Sequence, residues 1–331
     1  MSLTNFPHGV SSMGVPILGG NSFFSGGTHI FCDPANGSDS NDGLTWSTAK
    51  STLSAAYGLA TTGKNDVIYL IGDGGTTATA RITSAALTWA KNATHLIGIT
   101  APSRNFQRAR ISHSSTSGVG VTPLLTWSAS GCYVANISMF SGYSTDEDQS
   151  CMTLTGSRNC FANVHFGGGG HLTPAARAGT NSLTLTAASE NLFYRCVFGL
   201  TSILSSAANA SLVITASNLC RDNYWEECDF IKWTDDATAV HANVGTACLL
   251  GFMTFNRCRF LNNVGTSGGT AMTAGLTVSS TCGGDVILHD PMFVGATDIT
   301  AADSARVHVL GFGANPSGNL NIGLSVTTDV T

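Results

Sequence analysis

The sequence predicts an all-β chain wound as a parallel β-helix: a solenoid with coils of about 30 residues, an extended N-terminal arm and a short N-terminal capping helix. Three observations predict it. An octet of one shape recurs as NCFANVHF (159–166), NLFYRCVF (191–198), NYWEECDF (223–230) and MTFNRCRF (253–260). Each octet follows a second short apolar strand: MTLT (152–155), LTLT (183–186), LVIT (212–215) and CLLG (248–251). Charged residues make up only 11%, while Gly alone contributes 38 residues, which suits short strands and turns better than long helices.

The period rests on the fifth octet position. Its anchors are Asn163, Arg195, Glu227 and Arg257, and the fainter copies CYVANISM (132–139) and VILHDPMF (286–293) add Asn136 and Asp290. The steps are 27, 32, 32, 30 and 33 residues. One such unit cannot bury its own apolar face. Stacked units can, each strand pairing with its equivalent one coil away at about 4.8 Å.

In chain order, residues 1–27 carry scattered apolar residues (Phe6, Val10, Val15, Ile17, Leu18) without a period of 2 or 3.6, and read as an arm that docks on a partner. Residues 28–121 read as a cap and the first coils. There a short strand and an Asp/Asn/Gly turn (28–46) precede an amphipathic segment through Leu53, Ala56, Tyr57 and Ala60. Ser47 or Thr48 is expected to cap its start and Gly63 to end it. DVIYLIG (66–72) and THLIGI (94–99) read as buried strands. Residues 122–293 are the regular coils. Residues 294–331 are closing strands, among them ARVHVLGF and NLNIGLSV.

The octet columns assign directions. The third position (Val134, Phe161, Phe193, Trp225, Phe255, Leu288) and the eighth (Met139, Phe166, Phe198, Phe230, Phe260, Phe293) are expected to point inward and stack. The sixth includes Cys196, Cys228 and Cys258, read as small core hydrophobes. The fifth column alternates in sign from Arg195 onward, and in the seventh Asp229 precedes Arg259 by one coil. Opposite charges on neighbouring strands predict a register-fixing ladder.

Four carboxylates outside the ladder are the candidates for catalysis. Glu190 and Asp222 share the position before successive octets, about one strand spacing apart, the separation a retaining glycosidase uses, although Arg158 one coil below competes as an ion-pair partner. Asp235 and Asp236 follow Trp233, an aromatic suited to a sugar platform. No basic stripe is present, and the first cation is Lys50, which argues against a nucleic-acid partner. The start lacks the pattern of a signal peptide and no run suits a membrane helix, so synthesis in the cytoplasm with reduced thiols is expected. The ten Cys include no CxxC pair, and DPANGSDSNDG (33–43) misses the calcium-loop spacing by one residue. No metal or other cofactor is expected.

The stretch HIFCDPANGSDSNDGLTWSTAKSTLSAAYGLATTGKNDVIYLIGDGG (29–75) resembles the opening of pectate-lyase-like right-handed parallel β-helices. That resemblance implies the hand of the coil but no activity, because neither the calcium-binding Asp set of the lyases nor the Asn-x-Asp pattern of polygalacturonases is matched here. The first twenty residues, MSLTNFPHGVSSMGVPILGG, resemble the starts of tailed-bacteriophage virion proteins. The resemblance implies a virion location and a homotrimer, with the arm docked on the major capsid protein or a neighbouring virion protein. The leading expectation is a non-enzymatic structural protein that decorates or projects from the phage head. The alternatives are a tailspike-type polysaccharide depolymerase, and a spike that binds a host surface glycan without cleaving it. An acidic, aromatic-lined groove would favour the enzyme; a groove without a carboxylate pair at catalytic distance would favour the binder; no such groove, with a long apolar contact through residues 1–25, would favour the purely structural protein.

Overall fold

The computed structural model describes residues 11–12, 15–16, 26–75, 79–82, 87–101, 103–113, 121–215, 219–246, 248–265, 267–300 and 306–310. Three parallel sheets line the coil. The first has ten strands, from His29–Cys32 to Val307–Leu310. The second and third have eight each, from Thr79–Ile82 to Met292–Val294 and from Leu87–Trp89 to Ala296–Thr300. Spatial neighbours within a sheet are one coil apart in sequence: Cys160–Ala162 pairs with Leu192–Tyr194, and that with Tyr224–Glu226. The chain is a parallel β-helix.

The octet is two strands and a corner rather than one strand. Leu192–Tyr194 belongs to the first sheet and Val197–Ser205 to the second. Arg195 between them has φ of 53°, and the whole fifth column, Asn136, Asn163, Arg195, Glu227, Arg257 and Asp290, is left-handed. Asn takes this conformation readily, whereas Arg and Glu accept it at a cost of about 1 kcal/mol. The left-handed residue swings the chain from one sheet to the next, which is why the inward positions run third, sixth and eighth instead of alternating.

Those inward columns are buried as expected. Phe161, Phe193, Trp225 and Phe255 stack at centroid separations of 5.1, 5.2 and 4.6 Å. Phe166, Phe198, Phe230, Phe260 and Phe293 stack at 5.0, 4.8, 4.9 and 4.5 Å. Each stacked pair adds about 1 kcal/mol beyond its buried area. The Cys column is core as well. Cys196 donates its thiol proton to the Phe161 carbonyl (3.2 Å), Cys228 to Phe193 (3.3 Å) and Cys258 to Trp225 (3.5 Å). Burial pushes the Cys196 and Cys258 thiols well above their ordinary range.

A polar column also runs inside. The first octet position holds Asn159, Asn191 and Asn223, all buried. Asn191 Oδ1 accepts from the Asn159 backbone N–H (3.0 Å) and from Asn159 Nδ2 (3.1 Å); Asn223 Oδ1 serves Asn191 in the same way (3.1 and 3.0 Å).

The N-terminal end is closed by the helix Leu53–Leu59, which buries Leu53 and Ala56. Its N-cap is Thr52, not Ser47 or Thr48. Those residues lie in a separate 3-10 turn, Trp46–Thr48, capped by Thr45. The carboxylate of Asp39 accepts from the backbone N–H of Ser51 and Thr52 and fixes the entry to the helix. The helix also ends before Gly63, at Leu59. There Lys91 Nζ donates to the carbonyls of Tyr57 (2.7 Å) and Ala60 (2.6 Å), as the dipole favours. At the other end Ala296–Thr300 and Val307–Leu310 add a last strand to the third and first sheets. NLNIGLSV lies outside the described residues. So do Phe6, Val10, Ile17 and Leu18 of the arm; Val15 falls in a two-residue strand, Val15–Pro16, paired antiparallel with Ser11–Ser12.

Candidate functional site

The chain between Thr94–Ile99 and Arg110–His113 does not simply turn the corner. It leaves the first sheet and runs along the helix axis as a strap over the seventh octet column. In register that column is Arg110, Ser138, His165, Val197, Asp229 and Arg259. The Phe106 backbone N–H donates to His165 Nδ1 (3.0 Å), Gln107 Nε2 to the Asn163 carbonyl (2.8 Å), and Arg104 Nη2 to the Glu227 carbonyl (2.9 Å). Arg104 Nε pairs with Asp229, four coils above Arg110, a reach of about 19 Å at the strand spacing.

The strap changes the status of the column. The outward side chains of Ser138, His165 and Asp229 become buried beneath it. Asp229 pairs with Arg259 of the next coil as the ladder predicts, Arg259 Nε and Nη2 gripping it at 2.6 Å each, and Arg104 adds a second grip from the strap that the ladder did not include. Burial holds the His165 imidazole down to about 4, so it is neutral. With Nδ1 accepting from Phe106, Nε2 carries the proton and donates to the Gly199 carbonyl (2.9 Å).

Beside the strap lies a groove of about 400 Å³ on the outer face of the first sheet. Its floor exists because Ala135 and Ala162 succeed Ile97 in the outward column, and Tyr194 follows them. Two small residues between two large ones leave a depression. Tyr133, Tyr194, Asn136, Asn163 and Arg195 line it from the body, Ser103 and Arg104 from the strap. The Arg195 guanidinium lies over the Tyr194 ring at 5.1 Å and its Nε donates to Glu227 (2.8 Å). The lining residues include two cations, two phenols, two amides and no carboxylate. Aromatic faces with a few convergent polar groups are the ordinary equipment of a small-ligand or sugar site.

The carboxylates singled out in the sequence sit elsewhere. Glu190 is at a left-handed corner (φ 58°), gripped by Arg158 through both oxygens at 2.6 and 3.1 Å. Asp222, at the next such corner, accepts from the Phe252 backbone N–H (3.1 Å). Asp235 accepts from Ser206 Oγ (3.1 Å), and Asp236 closes a turn on Thr238 through its backbone N–H (2.7 Å) and hydroxyl (2.6 Å). Trp233 is half-buried in the strand Asp229–Thr234. The fifth-column ladder is present: Arg195 pairs with Glu227 and Glu227 with Arg257 (3.2 Å), while Asp290 faces its neighbour His289 (3.7 Å).

Sequence reasoning missed Arg104, Tyr133 and Tyr194. Arg104 contacts a residue 125 positions away and belongs to no repeat, so no spacing announces it. The tyrosines did carry a signal: they occupy the second and fourth octet positions, which must face out if the third faces in. A buried lysine was missed too. Lys232 Nζ donates to Asn209 Oδ1 (2.6 Å), and burial pulls its amine down to about 7. The adjoining cavity of about 30 Å³ has room for a water and little more.

No family profile matches the chain, and no curated protein matches it in sequence. Solved structures do resemble it. A pectin methylesterase from Aspergillus niger is 16% identical, with 92% of this chain and 93% of that one covered and a TM-score of 0.49. The pectate lyase Pel9A is 14% identical over 88% of this chain and 73% of its own, with a TM-score of 0.49. The pectin methylesterase PemA from Erwinia chrysanthemi is 13% identical over 85% and 92%, with a TM-score of 0.45. At these identities the likeness concerns the fold alone.

Proposed function

We propose that this protein is a non-enzymatic β-helix of a tailed-phage virion that binds a surface glycan in the groove beside the strap without cleaving it. The observation that carries the glycan reading is the groove itself: two tyrosines, two asparagines and two arginines around an alanine floor, with no carboxylate in the lining. Cleavage of a glycosidic bond by paired acids needs two carboxyl groups facing one ligand. Here all four candidate acids lie outside that lining: Glu190 is in an ion pair, Asp236 closes a turn, and Asp222 and Asp235 accept hydrogen bonds from residues about one coil away. The virion placement is supported by the first twenty residues. In this reading the arm docks on the capsid or a neighbouring virion protein, and the rod assembles as a homotrimer.

One experiment addresses both halves. Purified phage heads and host surface polysaccharide are offered to the wild-type chain, to Tyr194→Ala, and to a chain with Phe6, Val10, Val15, Ile17 and Leu18 changed to Ser. The wild type is expected to hold both, with the polysaccharide keeping its length. Tyr194→Ala should lose only the glycan and the serine variant only the heads. Shortened polysaccharide would replace this reading with the depolymerase, and failure of the wild type to bind either target would remove it.

A further inference from the structure

Two guanidiniums in one groove have hydrogen-bonding capacity left over. Arg104 spends Nε on Asp229 and Nη2 on the Glu227 carbonyl; Arg195 spends Nε on Glu227. Nη1 of Arg104 and both Nη atoms of Arg195 have no partner among the described residues. Both side chains line the groove, and both are partly exposed. The acids that hold them, Glu227 and Asp229, do not line it.

The local charge points the same way. The connected cluster around the groove consists of Arg104, Arg195, Arg257 and Arg259 against Glu226, Glu227 and Asp229, four cations to three anions, in a chain whose net charge is −5. The acids act as orienting partners. Asp229, buried and held by Arg259, fixes the Nε edge of Arg104, and Glu227 fixes the Nε edge of Arg195. A guanidinium held at Nε still presents Nη–H groups in a fixed plane, which suits an oxyanion better than a flexible ammonium does. Stacking on Tyr194 restrains the plane of Arg195 further.

We infer that the groove takes an acidic glycan, with a carboxylate or sulfate of one sugar unit held between the free Nη groups of Arg104 and Arg195 and the sugar face lying toward Tyr133 and Tyr194. This rests on the glycan-binding reading above and adds to it the charge of the ligand. Asn136 and Asn163 are also in the lining; Asn163 Nδ2 donates to Asn136 Oδ1 (2.9 Å), which leaves Nδ2 of Asn136 to donate to a hydroxyl of the same or the next unit. Arg195 is then the residue that sets specificity, because it is exposed and can be changed without opening the core.

The test uses the full chain and four immobilised polymers: alginate, alginate with its carboxylates reduced to primary alcohols, dextran sulfate and dextran. The wild type is expected to be retained by an anionic polymer at least tenfold more strongly than by its uncharged counterpart, and the retention should weaken as salt rises. Retention by alginate identifies a carboxylate reader, by dextran sulfate a sulfate reader. Arg195→Gln should lose that tenfold preference, and Arg195→Lys should recover only part of it. If charged and uncharged polymers are held equally and Arg195→Gln changes nothing, the inference is overturned while glycan binding stands. If no polymer is retained, the inference and the glycan reading fall together.

Discussion

The asparagines of the first octet position and the charged residues of the fifth both stand at bends of the coil, and both form vertical hydrogen-bonded columns. What separates them is solvent. Asn159, Asn191 and Asn223 are buried, and each amide satisfies a backbone N–H that no strand partner reaches. Arg195, Glu227 and Arg257 are open to water, which can replace any bond they lose. A polar group sealed in a low-dielectric interior must be paired or it costs its full desolvation, while an exposed ion pair yields little net. The inner column is therefore a structural necessity, and the outer one is free to serve recognition.

The sharpest way to break the comparison is at Asn191. Replacing it by Leu keeps the branched shape, in a somewhat larger side chain, but strands the Asn159 backbone N–H and the Gly156 carbonyl, both of which Asn191 now satisfies. At roughly 1–3 kcal/mol per stranded group, the loss should be about 4 kcal/mol in urea unfolding. A loss under about 1 kcal/mol would show that the inner column carries no more than the outer one.

The strap converts an outer column into an inner one, and pH separates the two states. Burial lowers the folded His165 to about 4 from its ordinary 6.5. Above pH 6.5 both folded and unfolded chains hold the imidazole neutral. As pH falls from 6.5 toward 4, the unfolded chain takes up a proton that the folded one refuses, so stability declines across that window, by about 3 kcal/mol at its lower end. His95, held near 4 by the same cause, adds a loss of the same sign in any variant that keeps it. The expected result is that His165→Gln is less stable than wild type at pH 7 and that the gap narrows steadily down to pH 4. Parallel stability curves for the two proteins would mean that His165 is not sealed by the strap.

The columns of the coil were unequally legible in the sequence. The third, sixth and eighth positions repeat because every coil must fill the same interior, so their periodicity survives in single letters. The asparagines were equally in view, as the first letter of NCFANVHF, NLFYRCVF and NYWEECDF. An Asn at the edge of a strand, however, reads as a turn residue, and only the three-dimensional stack shows it facing in. The left-handed corner was half disguised: Asn136 and Asn163 suit it, but Arg195, Glu227 and Arg257 do not advertise it. The strap left no trace at all. Its contacts join Arg104 to Asp229 and Phe106 to His165, across coils with no shared spacing, and the groove it borders is defined by what Ala135 and Ala162 lack.

The smallest expected effect is the most discriminating, because two terms oppose each other there. Glu227 pairs with Arg195 and Arg257 at exposed sites, a contribution of at most about 1 kcal/mol. It also holds a left-handed backbone (φ 52°), which costs a residue with a Cβ about 1 kcal/mol and glycine nothing. Glu227→Gly should therefore leave the unfolding midpoint within about 1 kcal/mol of wild type, a near-cancellation with no counterpart at Asn191. The same change frees Nε of Arg195, so the guanidinium loses its orienting partner and glycan retention should weaken while the fold does not. A loss of more than about 2 kcal/mol on Glu227→Gly would place the fifth column with the first, as part of what holds the coil together, and would leave the groove without a face that can vary independently of the fold.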